Sequence, residues 1–278
     1  MSGELSTSSR PPEKVNLKEV EWAALLETAL TMPGSIGSTY NRFRTYSFGN
    51  QVALFMQGAT GPVAPYKKWS ELGRQVRRGS KAMAVQVPLI YKEANKDGVL
   101  ENQVKGFKWV NSVFELADTD GEELPPYEPA EWSRERALGT LGIQQVAFES
   151  MNGNSQGYSR GSEIAINPVA AYPLKTLMHE LGHCVLKHTT PEGLAEYQTH
   201  RGLMEFQAEG TAYLTMNELN ALDQMDPSES RAYIKHWLRD ERPDNKSIQQ
   251  VIKSVDTIIK AGTSDAVIHS SDENRIDN

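Results

Sequence analysis

Residues 177–188 read LMHELGHCVLKH. His179 and His183 stand four apart, and Glu180 directly follows the first. Four residues advance a helix by slightly more than one turn, so both imidazoles leave the same face. Glu180 then lies about a quarter turn round, beside an ion held by the two rings rather than on it. That is where a general base must stand to take a proton from water at a metal. Leu177, Leu181 and Val185 give the same helix a core-facing side, and Gly182 permits close backbone approach on another. The plain alternative is a helix with incidental histidines. Three of the chain's six histidines fall within ten residues here, which tells against it.

The pattern is HExxH, the signature of zinc peptidases. A zinc site that activates water needs a third protein ligand. His188 lies five residues past His183 and faces elsewhere if the helix continues. Thr189 stands where a metzincin carries its third histidine. Further on, HRGLMEFQAEGTAYL (200–214) places Glu205 and Glu209 four apart on one helical face. This resembles the gluzincin order, in which a second helix supplies a metal-binding Glu and then an acid that hydrogen-bonds a ligating histidine. The resemblance implies one Zn2+ on His179, His183 and Glu205, with Glu180 as catalytic base and Glu209 fixing a histidine tautomer. Rotation of the second helix would exchange the two glutamates, and spacing alone does not choose between them.

Around this core, GNSQGYSRGSEIAIN (153–167) reads as a hairpin whose edge strand lies beside the metal helix. Zinc peptidases often bind the substrate backbone along such an edge. Tyr158, Tyr197, His200 and Tyr213 remain open as stabilisers of an oxyanion. Cys184, the only cysteine, reads as packed, and no intrachain disulfide is possible. That fits a reducing cytoplasm. The polar start of the chain lacks the apolar core of a secretory signal. No run of about 18 apolar residues offers a membrane span.

Charge divides the chain. Residues 40–110 hold twelve Lys/Arg against four Asp/Glu, net +8, whereas the whole chain is −7 and the remainder therefore −15. PYKKWSELGRQVRRGSKAMAVQVP (65–88) concentrates Lys67, Lys68, Arg74, Arg77, Arg78 and Lys81, with Tyr66 and Trp69 interleaved. RFRTYSF (42–48) repeats the mixture with Arg42, Arg44 and Tyr46. A positive groove with aromatic platforms is the physical recipe for binding single-stranded nucleic acid. Trp69, Phe48 and Phe107 read equally well as core aromatics.

The hydrophobic pattern predicts an α+β chain. Residues 1–16 read as a disordered arm and 17–125 as a small α+β DNA-binding domain. That domain carries helices at 17–30 and 46–57, a strand at 81–92, a turn at KDGV (96–99) and further strands over 103–117. The acidic, proline-rich DGEELPPYEP (120–129) leads into a linker, 126–139. Residues 140–262 read as a mostly helical, zincin-like domain with short strands at 143–150 and 161–167. Its helices fall near 171–188, 192–200, 202–222, 228–240 and 245–262, and 263–278 form a polar, disordered tail.

With both halves in view, the chain resembles the ArdC-type antirestriction proteins of plasmids and mobile elements. The resemblance rests on YSFGNQ, YKKWSELGRQVRRGSKAMAVQVP and VFELADTDGEELP in the first half, and on LMHELGH and EFQAEGTAYL in the second. It implies a single-stranded-DNA-binding domain joined to a zinc-metallopeptidase-like domain, protecting incoming DNA from host restriction. The partners implied are single-stranded DNA and a host restriction component or other protein substrate, with no membrane. Two other readings stay open: a non-catalytic DNA-binding protein whose zincin fold is a structural or interaction platform, and a regulatory protease without DNA binding.

Overall fold

The computed structural model describes residues 21–34, 39–43, 46–94, 100–124, 127, 130–149 and 155–263. The expected arm (1–16), nearly all of the expected tail, the KDGV turn and Arg44 lie outside these.

The first half is α+β. Helix α1 (Trp22–Ala29) buries Leu25, Leu26 and Ala29. Helix α2 (Phe48–Met56) starts at Ser47, whose hydroxyl accepts from the Asn50 amide at 3.4 Å. Strand β1 (Val63–Pro65) leads into the short helix α3 (Tyr66–Glu71) and strand β2 (Arg74–Val76). Two long strands follow, β3 (Met83–Ala94) and β4 (Leu100–Glu115), then β5 (Thr119–Gly121). β1, β4 and β3 form an antiparallel sheet in that order, and β2 pairs with β5.

The outer edge of β3 is capped from α2 by two side-chain amides. Asn50 donates to the Gln86 carbonyl (3.0 Å) and accepts from the Gln86 amide (2.7 Å). Gln57 does the same with Ala84 (2.9 and 2.8 Å). Each amide thus imitates a strand neighbour and blunts an edge that would otherwise invite another chain.

The second half is mainly helical. Helix α4 (Arg134–Leu141) lies in the segment expected as linker. Only Ala137 of it is buried, so it shows no apolar stripe to read. Ser133 caps it, and Trp132 ties it to the last helix by donating to the Ile258 carbonyl at 3.1 Å. Strands β6 (Gln144–Gln145), β7 (Gly157–Arg160) and β8 (Glu163–Ile166) form a sheet in the order β6-β8-β7, with β7 at one edge. Helix α5 (Pro173–Val185) carries HExxH. Helix α6 (Pro191–Glu218) joins the two helices expected at 192–200 and 202–222. It breaks at His200, whose φ of −125° and ψ of 22° leave helical space.

Helix α7 (Pro227–His236) is shorter than the expected 228–240, because a π-helical turn takes over at Trp237–Glu241. Helix α8 (Asn245–Gly262) matches its expected span. Ile248, Val251, Ile252, Val255 and Ile258 line its buried face. Each contributes about 1.5–3 kcal/mol by leaving water.

Residues from both sides of the 126–139 segment enter one hydrophobic core. Tyr213 on α6 donates to the Leu30 carbonyl (3.0 Å) and Asn217 to that of Met32 (3.0 Å). The Phe48 amide donates to Asp256 on α8 (3.3 Å).

The end of α5 is closed by a Schellman motif. Lys187 adopts φ 65°, the His188 amide donates to the His183 carbonyl (2.9 Å) and the Lys187 amide to that of Cys184 (3.0 Å). A left-handed lysine is strained relative to glycine. Lys187→Gly should therefore raise unfolding stability by up to about 1 kcal/mol, and Lys187→Val should lower it by about 1–2 kcal/mol. Urea denaturation of both variants would check the order.

Candidate metal centre

Helices α5 and α6 cross where Gly182 meets Ala208. A β-carbon at Gly182 would stand 3.2 Å from the Ala208 Cα, so the helices approach as closely as backbones allow. The crossing brings HExxH against the Glu205–Glu209 face. His179 Nε2 and His183 Nε2 lie 3.2 Å apart. Glu205 Oε2 is 3.3 Å from the first and 3.7 Å from the second. Among the described residues these three form the group able to hold a metal ion.

The other glutamate plays a different part. Glu209 Oε2 meets the outer nitrogen of the ring, His179 Nδ1, at 3.1 Å, and also receives Lys175 Nζ at 2.8 Å. Ser230 on α7 donates to its other oxygen at 2.5 Å. Burial alone would raise the Glu209 pKa. The hydrogen bond from His179 and the nearby Lys175 outweigh that and hold it at about 2. Glu205 is likewise held well below the carboxylate range against its own burial, by His179, His183 and Tyr197. Burial pushes His179 down, but its hydrogen bonds to Glu205 and Glu209 carry it up to about 9.

Glu180 is buried beside the triad, and Ser159 on β7 donates to its Oε2 at 2.7 Å. Tyr197 donates to Glu205 Oε1 at 2.5 Å. Eight residues rise about 12 Å in a straight helix; the break at His200 lets this pair meet. Clefts of about 470, 340 and 500 Å³ converge on His179 and Glu205. Of the four groups open as oxyanion stabilisers, Tyr213 is buried and bonded to Leu30, and His200 is exposed and bonded to Thr199. Tyr158 and Tyr197 line the cleft. Cys184 is packed near Gly161, with burial raising its thiol to about 11.

Spacing did not reveal His188, Gln207, Ser159, Ser230 or the contact of Tyr197. Lys175 had a signal, since it lies one turn before His179 on the same helix.

The basic segment divides. Trp69 is fully buried, with its indole donating to the Phe114 carbonyl at 2.9 Å, and Tyr46 is buried too. Neither offers a platform for a base. Both are buried, as their apolar bodies favour. Arg74 donates to the Thr119 hydroxyl (2.8 Å) and to the Glu122 carbonyl, and Arg77 pairs with Asp120 (3.1 Å) and the Ala117 carbonyl. Both are thus committed to the acidic segment around β5. Lys68 pairs with Glu71 at 3.5 Å, and Arg42 lies over the Phe43 and Tyr127 rings. Tyr66 (53% exposed), Lys67, Arg78 and Lys81 face solvent. Phe107, equally a core candidate, is exposed on β4.

Residues 22–122 match the N-terminal domain of the anti-restriction factor ArdC. Over 90% of its length the chain is similar to a metal-free crystal structure of the antirestriction ArdC protein from the R388 plasmid. The match covers 97% of that chain at 19% identity and a TM-score of 0.50, and shares its α+β fold. A Mn(II)-bound structure of that R388 protein matches over 86% of this chain and 91% of its own, at 19% identity and a TM-score of 0.49. No curated protein sequence matches the chain. No helix among the described residues is long and apolar enough to cross a membrane.

The depressed Glu209 carboxyl gives a pH test. Its pKa falls from 4.5 to about 2 on folding, so it stabilises the folded chain above about pH 4.5 and loses that contribution as pH drops toward 2. Acid unfolding should be shallower in Glu209→Gln, with about 2–3 kcal/mol less stability near pH 6 and little difference near pH 2. Urea midpoints across that range would measure it.

Proposed function

We propose that the chain is an antirestriction protein that joins a zinc metallopeptidase centre to a single-stranded-DNA-binding face. The triangle of His179 Nε2, His183 Nε2 and Glu205 Oε2, with edges of 3.2, 3.3 and 3.7 Å, carries this reading. Donors at three corners of a tetrahedron with bonds of about 2.0–2.1 Å stand about 3.3–3.4 Å apart. The donor set is also the two-histidine, one-glutamate set of catalytic zinc. Imidazole and carboxylate donors admit manganese as well.

When bound, the ion supplies Lewis acidity toward water and a peptide carbonyl. The chain's own groups do the rest. Glu180 takes the proton from the attacking water and returns it to the leaving amine. Ser159, on one Glu180 oxygen, orients that carboxylate. The β7 edge gives an extended peptide a strand to pair with beside Glu180. Tyr197, whose one proton bonds Glu205 here, would release that carboxylate to donate to a developing oxyanion. A host restriction component is the substrate class that fits an antirestriction role, acting in the cytoplasm.

For DNA, the exposed set is Tyr66, Lys67, Arg78 and Lys81, with Lys68 and Arg42 at its margin. Arg78 sits in a turn closed by the Ser80 amide on the Arg77 carbonyl at 3.1 Å. This set is smaller than the sequence suggested, but it keeps the cation-plus-aromatic character of a single-strand contact.

Glu180→Gln should retain zinc and lose peptide cleavage by at least about 100-fold. Protection of transferred DNA in a restricting host should fall with it. Intact protection by the zinc-loaded variant would instead favour a non-catalytic platform. Replacing Lys67, Arg78 and Lys81 together with alanine should weaken single-strand binding and flatten its log–log salt slope by about 2, at about 0.7 per lost phosphate contact. An unchanged slope in fluorescence anisotropy would remove this face from the interface.

A further inference from the structure

His188 has no role in the peptidase mechanism above, yet it is buried against a residue that does. Its Nδ1 lies 3.0 Å from His183 Nδ1. Its Nε2 lies 3.1 Å from Gln207 Oε1 on α6. Gln207 Nε2 in turn lies 2.9 Å from Gln250 Oε1 and 3.5 Å from the Ser247 carbonyl, both on α8. A chain of polar groups therefore runs from α8 through α6 to His183.

The polarity of that chain follows from chemistry. Imidazole rings and side-chain amides can each be turned either way. The Ser247 carbonyl cannot, because it only accepts. At 3.5 Å it favours the amide nitrogen of Gln207 on its side, which leaves the Gln207 oxygen facing His188. That oxygen requires a proton on His188 Nε2. In the neutral ring His188 Nδ1 then carries a lone pair, and His183 Nδ1 must donate to it. The lone pair of His183 is left on Nε2, the nitrogen that faces His179 and Glu205.

We infer that His188 is a positioning residue that fixes the tautomer and ring orientation of His183, with its polarity set by α8 through Gln207. The inference rests on the metal-centre reading for its purpose, but its geometry stands without it. On the other histidine, His179, the equivalent nitrogen is held by the carboxylate of Glu209. The two rings are thus fixed by different chemistry, one by an anion and one by a neutral relay.

The turn after α5 explains how His188 gets there. In a Schellman motif the second residue past the cap folds back over the residue five before it. Here that pair is His188 and His183. Gly193 lets the start of α6 press on the same turn: a β-carbon there would stand 2.2 Å from the Lys187 carbonyl oxygen.

The test uses the full chain and two substitutions with opposite geometry. Asparagine can place its side-chain oxygen where Nδ1 of histidine sits, and so can still accept from His183. Glutamine reaches the Nε2 position but leaves the Nδ1 position empty. Zinc affinity, measured by competition with a chromophoric chelator, should fall 10–100-fold in His188→Gln. It should stay within a few-fold of wild type in His188→Asn. Independently, long-range nitrogen–proton spectra of the metal-free wild type should show His183 protonated on Nδ1 and His188 on Nε2. A wild-type His183 protonated on Nε2 overturns the inference, as does equal zinc affinity in the two variants. If the wild type takes up no zinc, the metal-centre reading fails and the spectrum alone decides the tautomer.

Discussion

The site depends on one close contact, the crossing of α5 over α6 at Gly182 and Ala208. The functional residues are spaced about it in the same way on both helices. His179 and His183 lie three before and one after Gly182, and Glu205 and Glu209 lie three before and one after Ala208. Each pair therefore straddles the crossing point by one helical turn. Because the backbones touch there, the four side chains meet above the contact with little room to vary. A larger residue at the crossing would separate the helices and open every edge of the donor triangle at once.

Bringing three carboxylates and two imidazoles out of water carries a desolvation cost, and the surroundings offset it group by group. Glu209 is bonded by His179, Lys175 and Ser230, and Glu205 by Tyr197 as well as the histidines. Glu180 has Ser159. In a low-dielectric interior such bonds strengthen one another, and an unpartnered member would be costly. These partners come from different elements: Ser159 from β7, Lys175 from α5, Tyr197 from the part of α6 before the His200 break, and Ser230 from α7. The site is thus held by the whole helical half rather than by its two central helices.

The parts of the site that depend on local period were legible in the sequence. An i, i+4 pair on a helix is a statement about one face, so HExxH and EFQAEG could be read without knowing the fold. The span of α8 was readable for the same reason, from its clean apolar stripe. His188 was not, because the left-handed Lys187 redirects the chain and a lysine gives no warning of it. Nor was the fate of Trp69 and Tyr46, since an aromatic beside cations reads alike in a core and on a nucleic-acid surface. Helix α4 buries only Ala137 and leaves no period to detect. The competition between Glu205 and Glu209 needed the rotation of α6, which only the crossing supplies.

The basic segment shows why charge counts overstate a binding surface. Arg74 and Arg77 look like phosphate contacts in sequence, but β5 returns alongside β2 and places carbonyls and Asp120 against them. Asp120 and the carbonyls around β5 are therefore internal partners of Arg74 and Arg77. Among the described residues of that segment, Lys67, Arg78 and Lys81 keep exposed charges that an external anion could meet. This small face belongs to the same folded body as the metal centre, because α1 and α2 share a core with α6 and α8.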